Sequence, residues 1–199
     1  MNHPQLPASG LRSVARDAVR EKVADVALDL FVEHGFDEVT IAKIAESAGS
    51  SPRSVHRYFA TKEDIVIGPF ETNGPRVRDE LIKRPAGEPI TQSLHAAYAA
   101  MITRGPHRSR DRAAMRLLAS TPSLRARNTE KHMVWAELLT PIVAERLEGS
   151  DSPLRASVLV QACLSAFQLA LMAWADDVQE RTILELLDVA FGDFEAGRN

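Results

Sequence analysis

The sequence predicts an all-α chain built as a small N-terminal domain followed by a larger helical one. Three observations carry that reading. Apolar residues recur at spacings of three and four, no alternating run is long enough for a half-buried strand, and Gly/Pro clusters punctuate segments too long to be strands. With 199 residues, 45% of them hydrophobic and 26% charged, the chain can bury one sizeable core and a lesser one beside it.

The opening "MNHPQLPASGLR" has Pro4, Pro7 and Gly10 where a secretory signal needs a continuous apolar run, so residues 1–12 read as a disordered arm. From about Ser13 to His34, Val19, Val23, Val26, Ala27, Leu30 and Phe31 form an apolar stripe. Asp17, Glu21, Asp25, Asp29 and Glu33 form an acidic, solvated row on the same helix. Gly35 stops it, and Thr40 offers a hydroxyl cap to "TIAKIAESAG", whose Ile41, Ile44, Ala45 and Ala48 face inward. Gly49 permits a tight turn. Ser51 then caps a third helix, and Pro52 takes its first position, where a missing N–H costs nothing. Thr61 and Asp64 have the spacing of a capping box that starts a fourth helix.

After Ile65, "IGPFETNGPRVRDELIKRPAGEP" is broken by Gly68-Pro69, Gly74-Pro75, Pro85 and Pro89, so the fourth helix is expected to be kinked or interrupted. The boundary falls here, with 13–65 as the first domain and 66–199 as the second. Five more helices are expected at about Pro89–Thr103, Arg110–Ser120, Ser123–Glu148, Ser152–Trp174 and Asp177–Glu195, with Pro141 kinking the longest. The uncharged stretch from Ser157 to Ala175 approaches the length of a membrane span. Its stripe of Ser157, Gln161, Ser165 and Gln168 favours a helix buried by its own bundle and by a second subunit, with no membrane partner.

Composition excludes several chemistries. Cys163 stands alone, so neither a disulfide nor a paired-thiolate zinc site can form within the chain, and a reducing cytoplasm is the expected compartment. His3, His34, His95, His107 and His132 are scattered without helical metal spacing, and Glu130-x-His132 is a weak metal hint. No Gly-rich phosphate loop, catalytic carboxylate pair or nucleophile-base signature is present, so no catalytic residue, metal or cofactor is expected.

The stretch "SSPRSVHRYFATKED" concentrates positive charge in a chain of net charge -3. At about 100° per residue, Val55 and Phe59 share the inward face of the third helix, while Arg53 and Arg57 point away, Ser54 and His56 flank them and the Tyr58 hydroxyl can reach out. A short helix with outward donors, held by a supporting helix and a Gly turn, is what a helix-turn-helix places in the DNA major groove. Lys62, at the electropositive start of the fourth helix, suits a backbone phosphate. Arg12 and Arg16, one turn apart near the arm, can add phosphate or minor-groove contacts. Through Ile65 the chain carries 8 Lys/Arg against 10 Asp/Glu, which argues against non-specific coating of DNA and for a locally positive edge.

"TIAKIAESAGSSPRSVHRYFATKEDI" resembles the signature of the TetR family of bacterial transcriptional regulators, with Thr40, Ile44-Ala45, Ala48-Gly49, Tyr58-Phe59 and Lys62-Glu63 on the family pattern. The resemblance implies a three-helix DNA-binding domain, a helical ligand-binding and dimerisation domain, a homodimer, and repression relieved by a small molecule. By the same resemblance, Ser54 takes a DNA-contacting hydroxyl position and Lys62 a phosphate-binding one. His56 stands where the family usually has a phosphate-contacting tyrosine, and Pro52-Arg53 replaces a commoner basic-small pair. The expected DNA-binding set is therefore Thr40, Ser51, Arg53, Ser54, His56, Arg57, Tyr58 and Lys62.

In the second domain, Met101, Met115, Leu118, Trp135, Leu139, Phe167 and Leu171 are candidates to line an apolar ligand site, although a packed core explains most of them equally well. Arg104, Arg108, Arg110, Arg112 and Arg116 read either as a solvated loop and helix start or as an anionic site for a ligand such as an acyl-coenzyme A. The helix around Ser157–Trp174 and the last helix are expected to pair with a second copy as a four-helix bundle. The expected function is that of a dimeric repressor, released from a pseudo-palindromic operator on double-stranded DNA by a small apolar or acyl-type effector. A ligand-independent activator or architectural protein is the alternative, and a helical-bundle enzyme a remote one.

Overall fold

The structure, a computed structural model, describes residues 8–104 and 111–196, with side chains described for 16–104, 111–192 and Phe194. All regular structure among these residues is helical. The chain forms two compact units, Met1–Pro69 and Phe70–Asn199.

The first unit contains α1 (Ala8–His34), α2 (Ile41–Ser47), α3 (Pro52–Tyr58) and most of α4 (Lys62–Glu71). Helix α1 starts at Ala8 rather than Ser13, so residues 8–12, expected in a disordered arm, are helical. Pro7 precedes the helix, and the one glycine within its first turns costs about 1 kcal/mol, which 27 residues of helix can absorb. Val23, Ala27 and Phe31 bury as expected. Val19 remains 39% exposed, because the stripe is rotated so that Ala24 and Leu28 take the inner positions. Phe31 packs on Phe36 with ring centroids 4.8 Å apart, and Val39, Ile44, Ala45, Val55, Phe59 and Ile65 complete this small core.

The second unit holds α5 (Asn73–Ile82), α6 (Ile90–Arg104), α7 (Asp111–Ser120), α8 (Pro122–Ala144), α9 (Ser152–Asp176) and α10 (Ile183–Ala196). The expected interruption of the fourth helix falls at Thr72, and beyond it α5 is a full helix that its Gly-Pro pair conceals in the sequence. Pro75 lies in the first turn of α5, where its missing N–H is tolerated. Gly74 is there for space: a Cβ at that position would stand 2.6 Å from Trp135 Cδ1. Helix α8 ends at Ala144, a turn past Pro141, and its 23 residues make it shorter than α1. The last helix starts at Ile183 rather than Asp177, because Asp177 accepts from the Arg181 backbone N–H at 2.8 Å and Thr182 and Glu185 form a capping box.

Helix α9 packs on α6, α7, α8 and α10, and Val160, Cys163, Leu164 and Phe167 are buried in the main core. Tyr98 stacks on Phe167 with centroids 4.7 Å apart and planes 10° from parallel. By length and composition α9 could cross a membrane, yet one face is built into the helical core. Its other face exposes Leu154, Val158, Gln161, Ser165 and Leu169.

Candidate nucleic-acid interface and effector core

The α2–α3 turn is fixed by backbone chemistry. Gly49 adopts φ +65°, Ser50 N–H reaches Ala45 O at 2.8 Å and Gly49 N–H reaches Glu46 O at 3.0 Å, a glycine-dependent helix ending that aims α3. Thr40 Oγ1 accepts from Lys43 N–H and Ser51 Oγ from Ser54 N–H, each at 3.2 Å. With Val55 fully buried and Phe59 nearly so, α3 turns Arg53, His56 and Arg57 to solvent. Arg53 and His56 have no partner among the described residues. Arg16, expected to add a contact near the arm, is exposed on α1, whereas the Arg12 side chain lies outside the described residues.

Six of the eight expected DNA contacts are engaged within the protein: Thr40, Ser51, Ser54, Arg57, Tyr58 and Lys62. The Thr40 and Ser51 hydroxyls serve as helix caps, and Ser51 Oγ also donates to Ser54 Oγ at 3.0 Å. Tyr58 is half-buried and its hydroxyl accepts from Arg57 Nη2 at 2.9 Å, with the guanidinium 4.9 Å over the ring, which leaves its own O–H to donate. Lys62 has acceptors within its own domain. Its ammonium donates to Phe36 O at 2.6 Å and Val39 O at 3.1 Å and stands 4.3 Å over the Phe36 ring. The α1–α2 turn leaves those carbonyls without helical partners, and a lysine carries enough donors to satisfy more than one. Thr61 and Asp64 cap α4 reciprocally, as their spacing predicted.

Two family models match the chain: residues 23–67 fit the bacterial regulatory proteins of the tetR family, and residues 85–199, more than half the chain, fit the MftR C-terminal domain. The chain belongs to the TetR family. It is 29% identical over 183 residues to the mycofactocin biosynthesis transcriptional regulator MftR of Mycobacterium tuberculosis, covering 92% of each chain. It is 30% identical over 191 residues to the HTH-type transcriptional regulator TcmR of Streptomyces glaucescens, covering 92% of this chain and 83% of the other. Among solved structures, the fold is similar to Thermus thermophilus FadR, a TetR-family transcriptional repressor in complex with lauroyl-CoA, with TM-score 0.57, 21% identity and coverage of 90% and 95% of the two chains. The SmeT–triclosan complex is similar at TM-score 0.60 and 19% identity, over 90% and 91%. This TetR-family chain is thus a helix-turn-helix DNA-binding transcription regulator with a ligand-binding C-terminal domain, and its relatives are regulators rather than enzymes.

In that C-terminal domain, Met101, Trp135, Leu139 and Phe167 share one core with Leu171 packed against it, while Met115 and Leu118 on α7 are buried outside that cluster. The described arginines of the basic cluster have internal partners. Arg104 pairs with Glu80, Arg112 lies 4.8 Å over Trp174, and Arg116 Nε donates to Ala175 O at 2.7 Å at the end of α9. Arg108 and Arg110, together with His3 and His107, lie outside the described residues. Glu130 of the weak metal hint pairs with Arg127 at 3.3 Å.

Sequence reading missed a buried polar group. Lys131 is 7% exposed, with its ammonium 4.9 Å from the Trp135 ring centre and 5.7 Å from that of Phe70. Burial lowers its pKa to about 7, partly opposed by the charge of Glu71. His132 is 8% exposed, its Nδ1 lies 3.0 Å from Gln168 Oε1, and its Nε2 has no protein partner. Burial first, and the Lys131 charge second, lower its pKa to about 4, so the ring is neutral at pH 7. Tyr98 Oη and Trp135 Nε1 are likewise buried without a protein partner. The available signal was the pair Lys131-His132, two polar residues one turn before Trp135 on a helix otherwise read for its apolar residues.

Proposed function

We propose that this TetR-family regulator is a cytoplasmic homodimeric repressor whose recognition helices, α3, read two half-sites of a pseudo-palindromic operator, and that a small apolar or acyl-type molecule in the C-terminal domain releases it. The observation that carries the reading is the exposed Arg53, His56 and Arg57 edge on a helix whose cap and preceding turn are fully hydrogen-bonded. One short helix offers few base contacts, and a second copy doubles them. The exposed Leu154, Val158 and Leu169 of α9, at 68%, 59% and 64% exposure, with Val189 of α10 at 68%, supply an apolar face for that second copy. FadR and SmeT, whose folds are similar, were solved with lauroyl-CoA and triclosan, which supports an apolar effector. Release follows if the effector prefers a conformer with a different recognition-helix spacing, and operator binding then weakens effector binding by the same factor.

Arg53→Ala tests the base-reading role. On a selected operator it should cost about 1–3 kcal/mol and relax preference at one base pair per half-site. An equal loss on operator and unrelated DNA would refute base reading by this residue.

A further inference from the structure

The strongest unexplained feature of the molecule is a buried ammonium whose described neighbours are aromatic. Lys131 has no carboxylate within ion-pair distance among the described residues, and Glu71, which acts on it through space, is held by Arg127 at 2.9 Å. A cation removed from water in this way is costly unless something negative meets it, and aromatic faces recover only part of that cost. Its neighbour His132 adds an unpaired Nε2, buried beside Trp135 with ring centroids 5.5 Å apart. Both lie against the Trp135 ring, and the aromatic packing continues from Trp135 to Phe167, centroids 6.1 Å apart, and on to Tyr98.

Resting on the reading of this domain as an effector site, we infer that Lys131 and His132 hold the ionised acidic group of an apolar acid, whose apolar body parts the packed rings of Trp135, Phe167 and Tyr98 as it enters. Beside an uncharged apolar molecule Lys131 relieves its burial by shedding its proton, whereas a carboxylate or phenolate holds it as an ammonium in a charge-assisted hydrogen bond. An acid oxygen also finds a partner in His132 once the ring's proton moves to Nε2 and the Gln168 amide turns its NH2 group toward Nδ1. Phe70, one of the two rings over Lys131, lies in the last turn of α4, two residues before the break at Thr72. An acid that displaces Phe70 from the ammonium therefore acts on the end of the helix that begins at Lys62.

The test uses the full-length protein and linear carboxylates from octanoate to hexadecanoate, each beside its matching alcohol, with 1-naphthoate and 1-naphthalenemethanol as an aromatic pair. Calorimetry at pH 8 in two buffers of different ionisation enthalpy reads affinity and proton uptake together. At least one acid should bind about tenfold or more tightly than its alcohol and take up a proton as Lys131 recharges, and Lys131→Met should abolish both effects. Equal affinity for acid and alcohol, no binding by any acid, or unchanged acid binding by Lys131→Met would each overturn the inference. If Lys131→Met does not fold, the wild-type comparison of acid with alcohol decides it. Operator release is scored separately: acid binding without DNA release would preserve this site and refute the effector reading, while release by the alcohols as strongly as by the acids would do the reverse.

Discussion

The ammonium of Lys62 donates a hydrogen bond of 2.6 Å to the backbone carbonyl of Phe36, tying the start of α4 to the turn between α1 and α2. That turn positions the helix pair that presents α3. A residue placed by the family pattern on a DNA phosphate is held here by its own domain. Lys62→Met should therefore lower the stability of the DNA-binding unit by about 1–3 kcal/mol, since it leaves partly buried carbonyls unsatisfied. Thermal or urea unfolding checks this. Unchanged stability with a salt dependence of DNA binding shallower by about one unit would return the lysine to a phosphate role.

Gly74 and Trp135 test the packing beside the inferred effector site. Ala at position 74 would set its Cβ 2.7 Å from Trp135 Nε1, against a buried ring held between Lys131, His132 and Phe167. Gly74→Ala should destabilise the protein by about 1–3 kcal/mol and shift Trp135 fluorescence, despite the gain in helix propensity. Stability equal to or above wild type would show that the ring moves freely.

Stability should fall in mild acid, and His132 gives the window. Its folded pKa of about 4 lies below the ordinary 6.5, so between those values the unfolded chain binds a proton that the folded one refuses. Its contribution is complete above pH 6.5 and lost as pH falls to about 4, amounting to about 3 kcal/mol. Lys131, lowered from 10.5 to about 7, acts with the same sign in its own window, raising stability as pH climbs between those values. Urea unfolding of wild type and His132→Phe across pH 4 to 7 checks the first effect, and a parallel pH dependence in the two proteins would contradict it.

Replacing the exposed apolar face of α9 should separate the subunits of the proposed dimer. Val158→Glu with Leu169→Glu puts charge on two side chains that are already solvent-exposed in the monomer, so folding is preserved. Sedimentation should then report a monomer with operator binding weakened by an order of magnitude or more. A variant that still sediments as a dimer would move the interface elsewhere.

The DNA-binding unit was legible because its signals are local. Thr40, Gly49, Ser51 and the Thr61–Asp64 box act on backbone within a few residues, and each does in the structure what its spacing implied. The Lys62 tie was not legible, since its acceptors are backbone carbonyls more than twenty residues away in sequence, at Phe36 and Val39. Helix α5 was hidden because Gly74 and Pro75 read as breakers, while the close approach of Trp135 demands the glycine and the first turn accommodates the proline. The start of α10 was marked by Thr182 and Glu185, a signal outweighed by the continuing run of polar residues from Asp177. Lys131 and His132 are ordinary in sequence, and only the packing of α8 makes them unusual.

Selection of DNA from a random pool by the purified protein, followed by anisotropy on the enriched sequences, tests the central claim most directly. The account predicts a pseudo-palindrome with two half-sites about one helical turn or more apart, bound tightly at moderate salt and lost with Arg53→Ala. No enriched sequence, with weak binding that vanishes as salt rises, would contradict a sequence-specific dimer.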